Sequence, residues 1–188
     1  DRRAASGAPQ GTPATEPLTL QASTLIKART LTTTGAWSAL NAGYFIIHTP
    51  ATAENTVISE IHYNPPGSDD AGEFVEIMNT SDQVIDFTGA RFDRGLEYVF
   101  DVGSTLAAGE RAILVARRSD FPATEGPKIL GEFGPSPALG NGGGLLRLRA
   151  WDDTVIVECP WDDKAPWPRS PDGNGPSLTL IRPEQRPD

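Results

Sequence analysis

The chain has 188 residues, including 19 glycines and 17 prolines, a content that disfavours long helices. Its net charge of −9 disfavours binding to a phosphate backbone, so we expect no nucleic-acid partner. No apolar run reaches the roughly 18 residues of a membrane-spanning helix, so no membrane insertion is expected. A single cysteine, Cys159, excludes an internal disulfide framework and a cysteine-based zinc cluster. Composition therefore predicts a loop-rich, all-β protein.

The N-terminal third of the chain divides into three predicted segments. Residues 1–17 are small, polar and rich in proline and glycine, which predicts a flexible or loop segment. A partial β module follows at 18–50, and the polar stretch at 51–56 predicts a linker. The chain begins with Asp1 and no signal peptide follows, so we expect a mature product or a piece of a longer protein.

Residues 57–185 are predicted to form the main domain from many short strands. The run 57–63 alternates, with Glu60 and His62 on its wetter side, and 73–79 is apolar on both sides, which is typical of a central strand. Short strands between recurring turns indicate a sandwich or a barrel. The predicted strands of the whole chain are 24–33, 43–48, 57–63, 73–79, 84–87, 97–102, 111–115, 129–133, 145–150, 154–159 and 177–181.

Six motifs in this domain, read in order, resemble the lamin tail domain in its bacterial branch. They are VISEIHYNP at 57–65, GEFVEIMN at 72–79, VIDFTGARF at 84–92, LAAGERAILV at 106–115, ALGNGGGLLRLRAWDDTVI at 138–156 and APWPRSPDGNGPSLTLI at 165–181. The resemblance covers about residues 55–185. It implies an immunoglobulin-like β-sandwich without enzymatic activity.

The partial module resembles the back half of the chitobiase/hexosaminidase C-terminal module, a small fibronectin-III-like sandwich. PLTLQASTLIKART at 17–30 and WSALNAGYF at 37–45 carry this resemblance. It implies that the first strands of the module are missing, which would leave open edges and apolar surface. We therefore expect that the half-module packs on the main domain or that a partner chain completes it.

The sequence contains few of the residue patterns that catalysis requires. No Gly-x-Ser-x-Gly nucleophile motif occurs, and His48 and His62 each lie in a predicted strand. Glu60, Glu73 and Glu76 are the candidate acid/base carboxylates, but Glu76 is better explained by pairing with an arginine such as Arg91 or by accepting backbone hydrogen bonds. We predict no catalytic residues and no enzyme.

Two further patterns have both a functional and a structural interpretation. The glycines of GNGGG at 140–144 lack the lysine of a phosphate-binding loop and predict a hairpin turn with positive φ. Acidic residues at Asp69, Asp70 and Glu73, and in the pairs 152–153 and 162–163, suggest a structural calcium ion, but no calcium-loop motif is present and solvated turns explain them better. No cofactor and no metal ligand are predicted.

Aromatic residues near the C-terminus supply the candidate binding site. Trp151, Trp161 and Trp167, with nearby prolines, suggest either a platform for sugar or peptide or a seal at the end of the sandwich. Trp161 and Trp167 are the predicted ligand-binding residues, and an exposed ring face is what such a role requires.

Taken together, these features predict a non-catalytic structural or interaction module of a larger secreted or cell-surface bacterial protein. Its expected partners are other proteins or neighbouring domains, which it would position or adhere to. Two alternatives remain: a carbohydrate-binding accessory module with a glycan ligand, and a subunit of an extracellular filament or sheath. In the second alternative the partial module would self-assemble by strand complementation.

Overall fold

A computed structural model describes residues 11–67, 72–122, 126–134 and 137–182. Within these ranges the regular structure is β, apart from short 3-10 helical structure such as that at Arg118–Asp120, which confirms the all-β prediction. None of the described helical structure has the length or apolar content to cross a membrane. The strands are β1 Thr24–Ala28, β2 Asn41–Phe45, β3 Thr49–Pro50, β4 Thr56–His62, β5 Phe74–Asn79, β6 Ile85–Asp86, β7 Arg91–Arg94, β8 Tyr98–Val99, β9 Thr105–Leu106, β10 Arg111–Val115, β11 Lys128–Glu132, β12 Gly144–Arg149, β13 Val155–Trp161 and β14 Leu178–Thr179.

One layer of the sandwich is a five-stranded sheet in the order β11-β10-β5-β4-β14. All its pairs are antiparallel except β10 with β11, which run parallel. Strand β5 lies in the middle, as its two apolar faces predict, and Val75 and Ile77 are fully buried there. A register shift between Ile58 and Glu60 bends β4 against β5.

The second layer is a four-stranded antiparallel sheet in the order β13-β12-β7-β8, supplemented by the short sheet β3-β6-β9. Side chains from both layers form one core, which confirms the immunoglobulin-like sandwich. Phe100 lies at the centre of its aromatic part, stacked on Phe87 at 5.1 Å between ring centroids and edge-on to Tyr98 at 5.0 Å.

Three of these strands were not among the predicted ones, namely β3, β7 and β9. Strands β3 and β9 are only two residues long, too short to show alternation. Strand β7 reads as polar because only Phe92 points into the core, while Asp93 forms ion pairs with Arg147 and Arg149 of β12. Phe92 is therefore the single apolar residue of β7, and one residue does not make a hydrophobic pattern.

The glycine run at 140–144 makes the predicted positive-φ turn, with φ of +106° at Gly143 and a Gly143 N–H···O=C Gly140 hydrogen bond of 3.1 Å. It is not a β-hairpin turn, however. The preceding strand β11 belongs to the five-stranded sheet and the following strand β12 to the four-stranded sheet. The run therefore connects the two layers, and the hairpin of this region is the turn 150–154 between β12 and β13.

Residues 24–45 form the N-terminal hairpin, in which β1 and β2 make a two-stranded antiparallel sheet. The hairpin packs on the sandwich. The Ser23 hydroxyl donates a buried 2.5 Å hydrogen bond to Oδ2 of Asp86, and the Ile47 N–H donates to the same hydroxyl at 3.1 Å. The Tyr44 ring lies so close to Gly89 that a Cβ atom at Gly89 would be 2.6 Å from it.

The interval 51–56, predicted as a linker, holds a hydrogen-bonded turn. The Asn55 side chain accepts from the Thr52 N–H at 2.8 Å and donates to the Pro50 carbonyl at 3.0 Å. Asn55 is buried, and strand β3, which directly precedes the interval, pairs in parallel with β6. This segment therefore joins the hairpin to the sandwich through ordered contacts, while the predicted domain boundaries stay predictions.

Candidate functional site

A cleft of about 460 Å³ opens where the N-terminal hairpin meets the sandwich. Four segments of the chain build it, and we call it the hairpin cleft. They are Ile46 just after the N-terminal hairpin, the end of β3 with the turn that follows, the stretch from β6 to β7, and the β12–β13 hairpin. The lining residues are Ile46, Pro50, Ala51, Thr52, Ala53, Glu54, Asp86, Phe87, Thr88, Ala90, Ala150, Trp151, Asp152, Thr154, Val155 and Ile156.

Two aromatic side chains from the described part of the chain line this cleft, and whereas Phe87 is buried, 48% of the surface of Trp151 is exposed. It lies at the tip of the β12–β13 hairpin. This turn is held by a 2.8 Å hydrogen bond from the Ala150 N–H to the Thr154 carbonyl and by an Arg91–Asp153 ion pair. The Trp151 ring packs on the ring of Tyr44 in the N-terminal hairpin, with 6.3 Å between the ring centroids and an angle of 57° between the ring planes. The indole is thus positioned from two sides and still open to solvent.

All the charged side chains that line the cleft are acidic, among the residues that the structure describes. Asp86 is buried, and its two oxygens accept from Ser23 and from the Thr88 N–H. Asp152 is exposed, and hydrogen bonds from Thr154 hold the pKa of its carboxyl below the ordinary value of 3.8. At neutral pH the cleft therefore combines an exposed indole with negative charge.

The two predicted ligand-binding tryptophans lie elsewhere. Trp161 is only 3% exposed, packs on Tyr63 at 6.4 Å and donates its indole N–H to the Gly140 carbonyl at 3.2 Å. Trp167 is half-buried against the core. Little of the Trp161 ring is therefore exposed, whereas the tryptophan with a largely exposed side chain is Trp151. Ligand binding at Trp161 and at Trp167 stays a prediction.

The three candidate acid/base carboxylates each have a structural environment of their own. Glu60 and Glu76 face each other across β4 and β5, but Glu60 accepts from Ser177, whereas Glu76 accepts from Ser59 at 2.6 Å. Glu73 is fully buried and accepts the Leu139 N–H at 3.0 Å. The structure thus ties these carboxylates to the fold.

Glu76 pairs with an arginine, as the sequence predicts, but the arginine is Arg111 and not the suggested Arg91. Glu76 pairs with Arg111 at 3.0 Å, while Arg91 pairs with Asp153. The reason is the strand register: Ile113 of β10 lies opposite Glu76, and Arg111 is two residues away on the same face. Arg91 belongs to the other sheet.

The two histidines lie in different environments. His48 is exposed, and His62 packs on Phe74 at 5.4 Å, where burial lowers the pKa of its imidazole. Burial also raises the pKa of the Cys159 thiol to about 11, so it is protonated at neutral pH. Burial therefore disfavours both the thiolate of Cys159 and the charged imidazole of His62.

The acidic residues considered for calcium do not gather in the parts of the chain that the structure describes, where no group of three or more metal-binding side chains occurs. Asp69 and Asp70 lie outside the described residues. Asp152 lines the hairpin cleft, while Asp162 lies next to Trp161 and accepts from the Lys164 N–H. A structural calcium ion stays a prediction.

A comparison with protein families matches residues 49–162 to the model of the Lamin Tail Domain. The match runs from β3 to the end of β13 and covers more than half of the chain. The chain belongs to the lamin tail domain family. No curated protein matches it. Lamin tail domains are immunoglobulin-like structural modules, and the family is not enzymatic.

The lamin tail match includes most of the hairpin cleft but not the N-terminal hairpin. Pro50, the β6–β7 loop and Trp151 lie inside the matched range, whereas the lining residue Ile46 precedes it, as does Tyr44, which contacts Trp151 from outside the lining. The C-terminal segment that resembles the bacterial branch lies beyond it, and its strand β14 pairs with β4. The cleft is thus lined mainly by the lamin tail domain, and Ile46 next to the N-terminal hairpin contributes at its edge.

Sequence reasoning placed Trp151 in a general aromatic group but did not single it out. The signal that distinguishes it is its position before Asp152-Asp153, a turn between two predicted strands. A tryptophan at a hairpin tip is exposed, whereas Trp161 ends a strand and points inward. The approach of Tyr44 and Asp86 to this turn depends on tertiary packing, which local pattern does not reveal.

Proposed function

We propose that this lamin tail domain is a non-catalytic positioning module of a larger protein. The observation that carries the proposal is the fixed attachment of the N-terminal hairpin. The buried Ser23–Asp86 hydrogen bond and the Tyr44–Gly89 and Tyr44–Trp151 contacts join the hairpin to the sandwich at three points. A segment fixed in this way transmits the orientation of one neighbouring domain to the other, rather than acting as a flexible tether.

The absence of catalysis in this chain is part of the proposal. Its support is the structural character of the family, together with the engagement of Glu60, Glu73 and Glu76 in hydrogen bonds that hold strands and loops. A general acid or base needs a side chain that can reach a substrate proton, and Glu73 is fully enclosed.

The setting of the module is likewise proposed, as a larger secreted or cell-surface bacterial protein. The support is the resemblance of residues 165–181 to the bacterial branch of lamin tail domains. A second support is the resemblance of residues 17–45 to the back half of a chitobiase C-terminal module. Proteins or neighbouring domains of the parent protein are the proposed partners.

The attachment of the hairpin is testable by a distance measurement between spin labels. Labels at the exposed positions Ala36 and Ala108, in a Cys159→Ser background, report on hairpin and sandwich respectively. We expect a single narrow distance distribution for the parent chain. The double variant Ser23→Ala/Tyr44→Ala should broaden it. A parent distribution as broad as that of the double variant would contradict the proposal.

A second candidate function is self-association through the N-terminal hairpin. Several large apolar side chains are exposed on and beside the hairpin, including Leu31 at 42%, Phe45 at 51% and Ile47 at 47%. Strands β1 and β2 pair only with each other in the described part of the chain. Open strand edges beside apolar surface favour the addition of further strands, as an extracellular filament or sheath requires.

A further inference from the structure

We propose that the hairpin cleft binds a cationic side chain, an arginine, of an extended segment of a partner protein. The proposal goes beyond the positioning role, since it assigns a binding site and the chemistry of its ligand. The cleft volume of about 460 Å³ lies within the roughly 300–1,000 Å³ typical of ligand sites.

The first support is the charge of the lining. Asp86 and Asp152 contribute carboxylates and, within the described residues, no lysine or arginine lines the cleft. Hydrogen bonds from Thr154 lower the pKa of Asp152, so it stays ionised well below neutral pH. A net charge of −9 over the whole chain also favours the approach of cations to the protein.

The second support is the exposed indole of Trp151. A guanidinium is planar and weakly hydrated, so it stacks on an aromatic face while its N–H groups reach a carboxylate. The Trp151 ring is held by Tyr44 and by the ordered β12–β13 turn, so little side-chain freedom is lost on binding. The next residue, Asp152, lines the same cleft and supplies a carboxylate.

These features favour an arginine over a neutral sugar. A sugar ring would stack on Trp151 as well and donate hydroxyl hydrogen bonds to the carboxylates, but a neutral sugar gains no charge attraction from a lining whose charged groups are all negative. The apolar side chains of Ile46 and Val155 complete the cleft and suit the methylene stem of arginine. The ligand therefore matches both the charge and the apolar surface.

The test is a titration of the full chain followed by the amide and indole N–H resonances. The probe is the peptide acetyl-(Gly-Arg)3-amide, and its neutral counterpart carries citrulline in place of arginine. We expect saturable shifts of the Trp151 indole and of Asp152 and Thr154 with the arginine peptide, weakening as salt is added. The citrulline peptide should bind at least about fivefold more weakly.

Two variants and a control localise the effect. Trp151→Ala should abolish the saturable shifts, and Asp152→Asn should weaken binding about threefold, because an amide keeps the acceptor for Thr154 but removes the charge. Glu97→Gln removes an exposed carboxylate that does not line the cleft and should leave affinity unchanged. Asp152→Asn preserves the turn, so it remains decisive if Trp151→Ala loosens the hairpin.

Three results would overturn the proposal. The first is equal binding of the arginine and citrulline peptides, and the second is the absence of saturable shifts. The third is a shift of the same resonances by cellohexaose or chitohexaose but not by the arginine peptide, which would assign the cleft to a glycan instead. None of these results bears on the spin-label distances, so a failure here is distinguishable from a failure of the positioning role.

Discussion

Asp93 shows how one side chain defines a strand that hydrophobic pattern does not reveal. Its carboxylate accepts from Nε of Arg147 at 2.7 Å, from a terminal nitrogen of Arg147 at 2.9 Å and from Nε of Arg149 at 2.8 Å. These bonds join the outer faces of β7 and β12, while Phe92 fills the core below. Hydrogen bonding to the two guanidinium groups holds the pKa of Asp93 below its ordinary value of 3.8.

Replacing Asp93 with asparagine is predicted to destabilise the sandwich by about 1–3 kcal/mol at pH 7, since two partly buried arginines lose their common anion. A group whose folded pKa is depressed stabilises the fold above its unfolded pKa, and this contribution is lost as the pH falls through the folded value. The parent should therefore lose stability below about pH 3.8 more steeply than Asp93→Asn. Urea unfolding at pH 7 and at pH 3 measures both effects.

A suitable control for this prediction is Glu158→Gln, because Glu158 also contacts Arg147, at 3.7 Å, but its side chain is 48% exposed. An exposed ion pair contributes little, so we expect a change of less than about 0.5 kcal/mol. Equal losses for the two variants would mean that the Asp93 network has no special role in holding β7.

At the scale of elements, the attachment of the N-terminal hairpin depends on a residue without a side chain. Gly89 has φ of +71°, and its missing Cβ leaves the space that Tyr44 fills. Gly89→Ala is predicted to lower stability by about 1–3 kcal/mol and to accelerate hydrogen exchange across β1 and β2 selectively. The cause is the combination of left-handed strain with displacement of the Tyr44 ring.

Gly109→Ala separates these two contributions. Gly109 has nearly the same φ, +68°, but nothing lies within 4 Å of the position of its Cβ. It should therefore cost only the backbone strain and leave exchange in the hairpin unaltered. Adding Gly89→Ala to a Tyr44→Ala background should likewise cost only that strain. An equal effect of the two glycine variants on hairpin exchange would exclude the Tyr44 contact as the anchor.

Elements and contacts were not equally predictable from the sequence. Strands with four or more apolar or β-branched residues, such as β4, β5 and β10, were located within a residue or two, because alternation is a local signal. Strand β7 was not predicted, because its outer face carries charged residues that form ion pairs with a strand distant in sequence, so the strand shows no apolar alternation. The hairpin cleft was not predicted for a related reason. Tyr44 and Trp151 are 107 positions apart in the chain and come into contact only in the folded structure.

At the scale of the whole molecule, the lamin tail sandwich and its N-terminal hairpin differ in what they expose. The sandwich encloses large aromatic side chains such as Phe87, Phe92 and Phe100, which are at 2% exposure or less. The hairpin has no buried apolar side chain of its own in the described residues, since its Leu25, Ile26 and Tyr44 are only partly covered. Its stability therefore depends on the sandwich on one side and gains from any strand added on the other.

This asymmetry predicts concentration-dependent association of the full chain, measurable by light scattering and sedimentation velocity. The double variant Leu31→Ser/Phe45→Ser should weaken association at least about tenfold, because it removes two exposed apolar side chains from the hairpin surface. Val99→Ser, which replaces a side chain that is 60% exposed on β8 of the sandwich, should leave association unchanged. A parent chain that stays monomeric at the highest attainable concentration would exclude self-association and leave the hairpin with the positioning role alone. Equal weakening by both variants would show instead that association is a general consequence of apolar surface.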